Sequence, residues 1–417
     1  MAVWNKIKFL HRNILNLPGS ALTADSEAAN CPVSNLANML EANWWKAANI
    51  TTPMYITLDA GSGKITNGDF EIGATTGWSF FVDTGAGATA TFTADATAPH
   101  EGTYKGLVNI TSGGSTQGNI QLYQMDKSIT DGKKQYVKFA AKCSTGARTV
   151  EMKIQKQVSP WTVYIDEGIQ IVNLTSAWQV FDYELTANIT ANDARLQFGI
   201  GGSDIDVDLD IISWWEEGAV PMADSLALYG HNLSSVGVET LGLHYSDTNF
   251  ATNTDAFTSF KPVTDRPLLK EFSSPLPHKY WRIYMTGTLS AAPLISAAAL
   301  GLKTELGYSR GSFDPHAQAP ERDISRSYGG VLNGVSTHYI DREMALQFFG
   351  KDAAFYALIT AWWEECGRYG RPFLVAWENA NNPDDIFLMW HEGRFFNPFK
   401  HGGTRRDITL NLKGRRE

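Results

Sequence analysis

A short segment near the middle of this 417-residue chain alternates strictly between acidic and apolar side chains. Over residues 204–211 the apolar positions are Ile205, Val207, Leu209 and Ile211, and an aspartate precedes each of them. Successive side chains of a β-strand point to opposite faces, so only a strand places all four apolar groups on one side. The segment is therefore predicted to be a strand with one buried face and one acidic face.

The same period-two pattern recurs elsewhere in the chain. Val150, Met152 and Ile154 alternate with polar residues, and Leu196 and Phe198 follow the same rule before a Gly-Gly turn. Thirteen tryptophans and 37 glycines with only 19% charged residues are typical of β-rich domains with tight turns. Because 417 residues exceed what one hydrophobic core normally supports, we predict a mainly β protein with two or three domains.

Two distant segments have the character of a single module. YITLDAG (55–61) and ADSLALYGHNL (223–233), together with the later KYWRIYM (279–285), resemble the galactose-binding-like jelly roll of discoidin and coagulation-factor domains. In that family a strand ending in Asp-x-Gly leads directly to an apolar strand and a His-Asn-Leu turn. The resemblance covers about residues 11–61 and 221–300 and implies that the two segments are neighbours in one β-sandwich, interrupted by an insert.

The insert resembles a second known family. It opens with ITNGDFE (65–71), continues through Gly77-Trp78 and closes on DVDLDIISWWE (206–216). These segments are similar to the carbohydrate-binding modules of families four, nine and twenty-two, whose first strand carries Asn-Gly-x-Phe-Glu and whose last strand carries an Asp near its end. The resemblance implies a complete jelly roll nested inside the first.

Sugar binding requires flat aromatic faces with polar side chains nearby. Trp161 and Tyr164 follow a proline next to an expected loop and are the first candidates. Tyr123 with Gln121 is the second candidate pair. A structural role for Trp161 is the alternative that the sequence leaves open.

Four aspartates on one strand face lie about 7 Å apart, so water or a cation must relieve their repulsion. Calcium is the hard cation that suits carboxylate and carbonyl oxygens. In the carbohydrate-binding modules that the insert resembles, a structural calcium uses the Glu of the first motif and an Asp near the end of the last strand, which correspond to Glu71 and Asp210. A solvated acidic face is the alternative, and Asp204, Asp206 and Asp208 are expected to face solvent.

The C-terminal region alternates strands with one helix. Residues 352–370 place Phe355, Leu358, Ile359, Trp362 and Cys366 at helical spacing, with Asp352 as the N-cap and Gly370 as the stop signal. A sheet crossed by one helix resembles the ring-forming domains of siphophage tail tubes, distal tail proteins and minor tail-tip proteins. The helix could equally close an ordinary α+β domain.

Together these patterns give the predicted fold class and domains. We expect a mainly β chain with two nested jelly rolls and a C-terminal α+β domain with one helix packed on a sheet. The galactose-binding-like sandwich takes residues 1–61 and 221–302, the carbohydrate-binding-module-like sandwich residues 62–220, and the tail-type domain residues 303–417.

Charge and cysteine content restrict the class of function. The chain carries a net charge of −9, and residues 64–217 hold 11 basic against 19 acidic residues, which disfavours nucleic-acid binding. Three unpaired cysteines indicate a reduced compartment, and no stretch approaches the ~20 apolar residues that span a bilayer, so we expect no membrane insertion. The catalytic motifs of zinc proteases, serine hydrolases and nucleotide-binding enzymes do not occur in the sequence.

The predicted function follows from these points. We expect a non-enzymatic component of a bacteriophage tail tip or baseplate that is assembled in the host cytoplasm and joins a homo-oligomeric ring with other tail proteins. Its modules would attach the virion to host-surface glycans. The alternatives are a carbohydrate-binding accessory protein of a bacterial polysaccharide-degrading system and, third, a tail-associated glycosidase, for which Glu378 is the only acidic residue in a suitable setting.

Overall fold

The computed structural model describes residues 6–17, 20–217, 221–247, 249–309, 314–400 and 403–415. Strand accounts for 53% of the chain and helix for 8%, which confirms the mainly β class. Within these ranges no helix is both long enough and apolar enough to cross a membrane.

The strands fall into groups before, within and after the insert. Those before the insert are β1 (Ile7–Asn13), β2 (Ala21–Ala24), β3 (Trp45–Lys46) and β4 (Met54–Asp59). Those of the insert are β5 (Ser79–Val82), β6 (Thr89–Asp95), β7 (Lys105–Ser112), β8 (Ile120–Ile129), β9 (Lys134–Cys143), β10 (Ala147–Lys156), β11 (Gln170–Thr175), β12 (Gln179–Thr186), β13 (Ala191–Gly199) and β14 (Val207–Glu216). After it come β15 (Met222–His231), β16 (Val238–Ser246), β17 (Thr254–Asp255), β18 (Leu268–Pro277), β19 (Tyr280–Gly287) and β20 (Leu294–Gly307). The C-terminal part contains β21 (Gln318–Arg326), β22 (Leu332–Lys351), the helix α1 (Ala353–Glu365), β23 (Phe373–Ala376), β24 (Ile386–His391), β25 (Phe399–Lys400) and β26 (Arg405–Arg415).

The insert is a sandwich of two five-stranded sheets. One sheet has the order β11-β10-β13-β8-β5 and the other β12-β9-β14-β7-β6. Their inner faces enclose one core, to which the predicted alternating residues Val150, Met152, Ile154, Leu196 and Phe198 all contribute. Period-two patterning therefore decided which face of each strand is buried.

The closing strand of the insert departs from strict alternation near its end. Val207 and Leu209 lie in the core as expected, but Ile211 has a left-handed backbone with φ of 46° and the register shifts between Asp210 and Ser213. Beyond this β-bulge Ile212 and Trp214 take over the core positions. The prediction that Ile211 continues the same face is wrong, because one extra residue reverses the side-chain direction.

The segments on either side of the insert lie in different sheets. Strand β4 belongs to a five-stranded sheet of order β17-β16-β19-β4-β2, whereas β15 pairs with β18 and β20 in a larger sheet. The two segments are therefore not paired strands of one sheet. Both sheets nevertheless face one core, which contains Met54, Ile56 and Leu58 of β4 together with Ala223 and Leu226 of β15.

The insert leaves and rejoins this sandwich through adjacent segments. The Lys64 backbone N–H donates to the Trp214 carbonyl at 2.7 Å, and the Trp214 N–H donates to the Ser62 carbonyl at 3.1 Å. Gly63 lies against this crossing, since a Cβ there would come within 2.3 Å of the Trp214 carbonyl oxygen. The close approach of the two segments thus requires glycine at residue 63.

The larger sheet extends from the split sandwich into the C-terminal region without a break. Its strand order is β18-β15-β20-β1-β23-β24-β26-β22-β21. In addition, the short strand β3 pairs with β20 and the short strand β25 pairs with β26. Strand β20 runs from Leu294 to Gly307 and crosses the domain boundary predicted after residue 302. Strand β1 lies between β20 and β23, and its Phe9 ring packs 5.4 Å from Trp362 and 4.9 Å from Phe373, measured between ring centroids.

Helix α1 packs on one face of this sheet. Asp352 caps it by accepting a hydrogen bond from the Phe355 N–H at 2.9 Å, as predicted. Ile359, Trp362 and Cys366 are buried against the sheet. Leu358 is 39% exposed, so its assignment to the buried stripe is wrong. Its side chain points away from the part of the helix surface that contacts the sheet.

Gly301 tests how strongly the β1–β20 pairing holds the sheet together. A Cβ at this position would lie 1.7 Å from the Arg12 carbonyl oxygen, so Gly301→Ala must push β1 away from β20. We expect a loss of about 1–3 kcal/mol in the free energy of unfolding, measured by urea denaturation. Gly334→Ala is the matched control, since nothing lies within 4 Å of its added Cβ, and equal losses in both variants would contradict the packing role of Gly301.

Candidate functional site

The outer face of the β11-β10-β13-β8-β5 sheet is set by the register of its strands. Residues directly opposite one another in antiparallel strands share a face. One row runs across all five strands through Phe81, Gln121, Gly199, Glu151 and Ile171. The five strands span roughly 19 Å across this row, since neighbouring strands lie about 4.8 Å apart.

Two further rows extend the same face. The second contains Ser79, Tyr123, Gln197 and Lys153, and the third pairs Arg195 with Gln155. The residues between these positions point into the core of the insert. The outer face therefore combines an aromatic ring, amide groups and a few charges in adjacent rows.

An arginine lies between two aromatic rings at one end of this face. The Arg195 guanidinium carbon is 4.7 Å from the Tyr123 ring centroid and 4.5 Å from that of Trp161. Trp161 is 49% exposed, whereas Arg195 retains only 5% exposure. The structure thus brings two of the predicted aromatic residues together through a cation–π stack.

Strand β10 and the turn after it place Trp161 over the sheet. Gln155 bridges to Val163, and the Lys156 N–H donates to the Thr162 carbonyl at 2.8 Å, so the chain reverses between them. Trp161 lies in this turn with φ of 52°, a backbone conformation that few residues with a large side chain adopt. The turn therefore directs an exposed indole back across the sheet to Arg195.

Amide side chains support the stack from below. The Arg195 Nη2 donates to the Gln121 Oε1 at 3.3 Å, and the Gln155 amide lies 3.1 Å from the Arg195 Nε. Gln155 also lies 3.0 Å from the Gln197 amide oxygen. These contacts connect the predicted Gln121 with two glutamines that the sequence analysis did not select as site residues.

Tyr164 lies elsewhere, and its assignment to the binding site is wrong. Its ring is only 6% exposed and packs in the core of the insert. Its hydroxyl donates to the Asp193 Oδ1 at 3.0 Å. A ring enclosed on both sides cannot offer a face to a ligand, so Tyr164 acts as a core residue with a satisfied hydroxyl.

Exposed apolar groups and an open cavity continue this face toward its other end. Phe81 is 45% exposed, and Ile169 and Ile171 are about half exposed. A cavity of about 810 Å³ is bordered by Glu151, Lys153 and the 115–118 turn. The face from Trp161 to this cavity can contact an extended ligand with aromatic planes for stacking and amides for hydroxyl groups.

The aspartates of the closing strand are paired within the protein. The Asp204 Oδ1 accepts from the Gly113 N–H and the Asp206 Oδ1 from the Ile110 N–H, both at 2.7 Å. Asp208 forms an ion pair with Lys105 at 2.9 Å. The expectation that these carboxylates face solvent is wrong for Asp208, which is buried, whereas Asp204 is exposed and Asp206 is partly exposed. Neighbouring N–H and ammonium groups nevertheless compensate part of the charge of all three.

Glu71 and Asp210 lie against the same loop, residues 98–104. The Glu71 carboxylate accepts from the backbone N–H groups of Thr103 and Tyr104 at 2.8–3.0 Å. The Asp210 Oδ2 accepts from the N–H groups of His100 and Glu101 at 2.9 and 3.1 Å. These two carboxylates, which come from opposite ends of the insert, thus bind the same loop.

The partners of these two carboxylates do not fit calcium. Calcium requires several oxygen ligands, whereas both carboxylates are surrounded by N–H donors. Burial raises the pKa of Asp210 to about 7. Among the described residues no group of three or more His, Cys, Asp or Glu side chains is placed to hold a metal.

A second cavity, of about 410 Å³, lies between the insert and the split sandwich. Its charged side chains pair with each other: the Asp247 Oδ2 is 2.6 Å from the Lys138 Nζ and 2.9 Å from the His278 Nδ1. Lys279 forms a further pair with Asp69 at 3.3 Å. These ion pairs connect the two sandwiches and account for the polar lining of the cavity.

Comparison with known proteins bears on the insert. Residues 62–204 match the family model CBM_4_9, described as a carbohydrate binding domain. This match confirms the expectation that the insert resembles the carbohydrate-binding modules of families four, nine and twenty-two. None of the curated proteins compared matches the chain significantly.

Solved structures match over about the same length of this chain. One, described as "CBM4 structure and function", is 23% identical, covers 37% of this chain and 99% of its own, and has a TM-score of 0.32. The N-terminal cellulose-binding domain of Cellulomonas fimi β-1,4-glucanase C is 18% identical over 37% and 96%, with a TM-score of 0.28. The enzymatically active domain of bacteriophage CBA120 tailspike protein 4 is 13% identical over 37% and 21%, with a TM-score of 0.30.

Calcium and chelator test the assignment of Glu71 and Asp210. Because N–H donors already compensate both carboxylates, we expect the melting temperature of the protein to be the same in calcium and in EDTA. A rise in calcium that Glu71→Gln abolishes would contradict this and restore the predicted metal site. Asp83→Asn is a control, since this carboxylate caps a separate turn through the Ala86 N–H.

Proposed function

We propose that the insert binds a polysaccharide along the outer face of the β11-β10-β13-β8-β5 sheet. The observation that carries this proposal is the stack of Trp161, Arg195 and Tyr123, beside rows of amide side chains. An exposed indole offers a pyranose ring an apolar surface, and the partly exposed Gln121 offers hydrogen bonds to hydroxyl groups. The match of residues 62–204 to a carbohydrate binding domain supports the same conclusion.

Binding rather than catalysis is the proposed role of the whole chain. Glu378, the acidic residue in the setting that suggests a glycosidase, is only 6% exposed. Its two carboxylate oxygens accept from the side-chain amides of Asn381 at 2.7 Å and Asn382 at 3.1 Å. The carboxylate thus closes its own loop, which leaves it poorly placed to reach a glycosidic bond.

We propose further that the chain is a structural component of a phage tail tip or baseplate and assembles with copies of itself. Strands β21 and β22 support this idea. Only residues 341–351 of β22 pair with β26, so residues 332–340 pair with β21 alone. An isolated two-stranded ribbon is marginally stable in water, so a partner surface would stabilise it.

The surface of this ribbon is apolar on one side and charged along its free edge. Ile324 and Val335 face each other and are about half exposed, and Tyr328 at the tip is fully exposed. Strand β21 is the edge of the large sheet, and its two acids and two arginines between residues 321 and 326 balance in charge. A second copy of the same edge, running antiparallel, would place Glu321 opposite Arg326 at both ends of the pairing, with Asp323 opposite Ile324 between them.

The alternative function is a carbohydrate-binding accessory protein of a polysaccharide-degrading system, which the family match supports equally well. Oligomeric state separates the two functions. A monomer with affinity for plant or bacterial polysaccharide favours the accessory role, whereas a closed oligomer favours the virion role.

Trp161→Ala tests the proposed binding face. Loss of the stacking surface should weaken polysaccharide binding about tenfold, measured by affinity electrophoresis on gels containing single polysaccharides. Trp44→Ala is the matched control, because Trp44 is 39% exposed but lies in the split sandwich, outside the face. Equal binding by the Trp161 variant and the wild type would remove Trp161 from the site.

The double substitution Ile324→Asp, Val335→Asp tests the ribbon as an assembly surface. Burying these new charges between two copies is unfavourable, so the variant should sediment as a monomer where the wild type sediments as an oligomer. Ser325→Asp, Ser336→Asp adds the same charge to the opposite face and should leave assembly intact. A wild-type protein that is monomeric at all concentrations argues against the virion role.

A further inference from the structure

The charge at the centre of the candidate site is not balanced within the described part of the protein. Arg195 is 95% buried between its two aromatic neighbours, yet no carboxylate of the described residues lies within 4.0 Å of its guanidinium. Asp193, two residues earlier on β13, accepts from the Tyr164 hydroxyl instead. Glu151, on the same outer face, is paired with Lys153 at 3.2 Å.

Neutral groups satisfy only part of the Arg195 guanidinium. Its Nε and Nη2 lie against the amides of Gln155 and Gln121. Its Nη1 has no hydrogen-bond partner among the residues that the structure describes. Burial lowers the pKa of this guanidinium, and the Tyr123 hydroxyl opposes that effect only in part.

A second buried arginine of the same module has a structural role through backbone carbonyls, although its Nε has no hydrogen-bond partner among the described residues. Arg148 is 7% exposed, and it donates to the backbone carbonyls of Ile200, Ile205 and Gly201, the last at 3.0 Å. These hydrogen bonds from the Arg148 guanidinium hold the 200–205 turn in place. Arg195 donates to no backbone carbonyl of the described ranges, so its position has no comparable structural explanation.

An unpaired cation in a desolvated site is unfavourable until an anion reaches it. The guanidinium plane matches a carboxylate better than a hydroxyl, because it can form parallel charge-assisted hydrogen bonds. The insert as a whole is acidic, with 19 acidic against 11 basic residues over 64–217, so a free cation in its binding face is not explained by the general composition.

We propose that this face takes an acidic polysaccharide, in which a uronic acid carboxylate binds Arg195 while the sugar ring stacks on Trp161. This inference rests on the proposed polysaccharide-binding function and specifies its substrate class. The neutral sugars of the chain would lie along Tyr123, Gln121 and Phe81. Arg195 is thus the residue that selects the charged ligand.

Matched polysaccharide pairs test this inference on the full chain. Glucuronoxylan, polygalacturonate and alginate are each compared with their own carboxyl-reduced form, which differs only in the charged group. The wild type should bind at least one native polymer about tenfold more tightly than its reduced form, since a hydrogen bond between charged groups is worth that much. Added salt should weaken binding to the native polymer and leave binding to the reduced one unchanged.

Variants of Arg195 identify the group responsible. Arg195→Gln should remove the preference for the native polymer and keep the affinity for the reduced polymer, whereas Arg195→Lys should keep part of the preference. Lys134→Gln, which removes a charge paired with Glu184 at 3.2 Å on the other sheet of the insert, is the matched control and should keep the full preference. The melting temperature and tryptophan fluorescence of each variant report whether the Trp161 turn keeps its position.

The possible failures are distinguishable. Equal wild-type affinity for native and reduced polymers, or an unchanged preference in Arg195→Gln, overturns the acidic substrate and leaves polysaccharide binding in place. A preference for sulfated over carboxylated polymers overturns the uronate assignment. Absence of binding to every polymer, native and reduced, overturns both this inference and the proposed function.

Discussion

The antiparallel register of β8, β13 and β10 is the constraint on which the candidate site depends. Each strand alternates between core and outer face, so a shift of one residue would place Leu122, Phe198 and Met152 in solvent. The burial of those side chains in the core therefore fixes the register. The same register brings Gln121, Tyr123, Arg195 and Gln197 into adjacent rows, although they come from separate parts of the sequence. Hydrophobic burial on one face thus determines the chemistry of the other.

The acidic residues of the insert show a second effect of the same packing. Backbone N–H groups of neighbouring segments donate hydrogen bonds to the carboxylates in and before β14. These hydrogen bonds compensate the negative charges that water or a cation would otherwise have to compensate. Asp204, Asp206 and Asp210 each bind backbone N–H groups, and Asp208 binds Lys105. A row of carboxylates that suggests repulsion in the sequence is therefore a row of cross-links between loops and strand. Arg195 is different, because the groups around it are neutral.

The large sheet relates the two sandwiches to the C-terminal region. Strand β1, from the N-terminal end of the described chain, lies between β20 and β23 and contributes Ile7 and Phe9 to the core under helix α1. The insert is therefore joined to a sandwich whose large sheet continues into the α1 region.

Local patterns in the sequence determined the strands, the buried face of most of them and the capped helix at Asp352. Period-two alternation and helix capping are properties of neighbouring residues, so they can be inferred without coordinates. The alternation in β10 also indicated that Glu151, Lys153 and Gln155 point away from the core. This was the signal in the sequence from which the outer face could have been predicted. Only the tertiary structure decided which polar positions of different strands align, that Tyr164 is enclosed while Trp161 is exposed, and that N–H donors surround Glu71 and Asp210. These outcomes depend on register, a bulge at Ile211 and the path of loops, which are set by contacts between residues far apart in the chain.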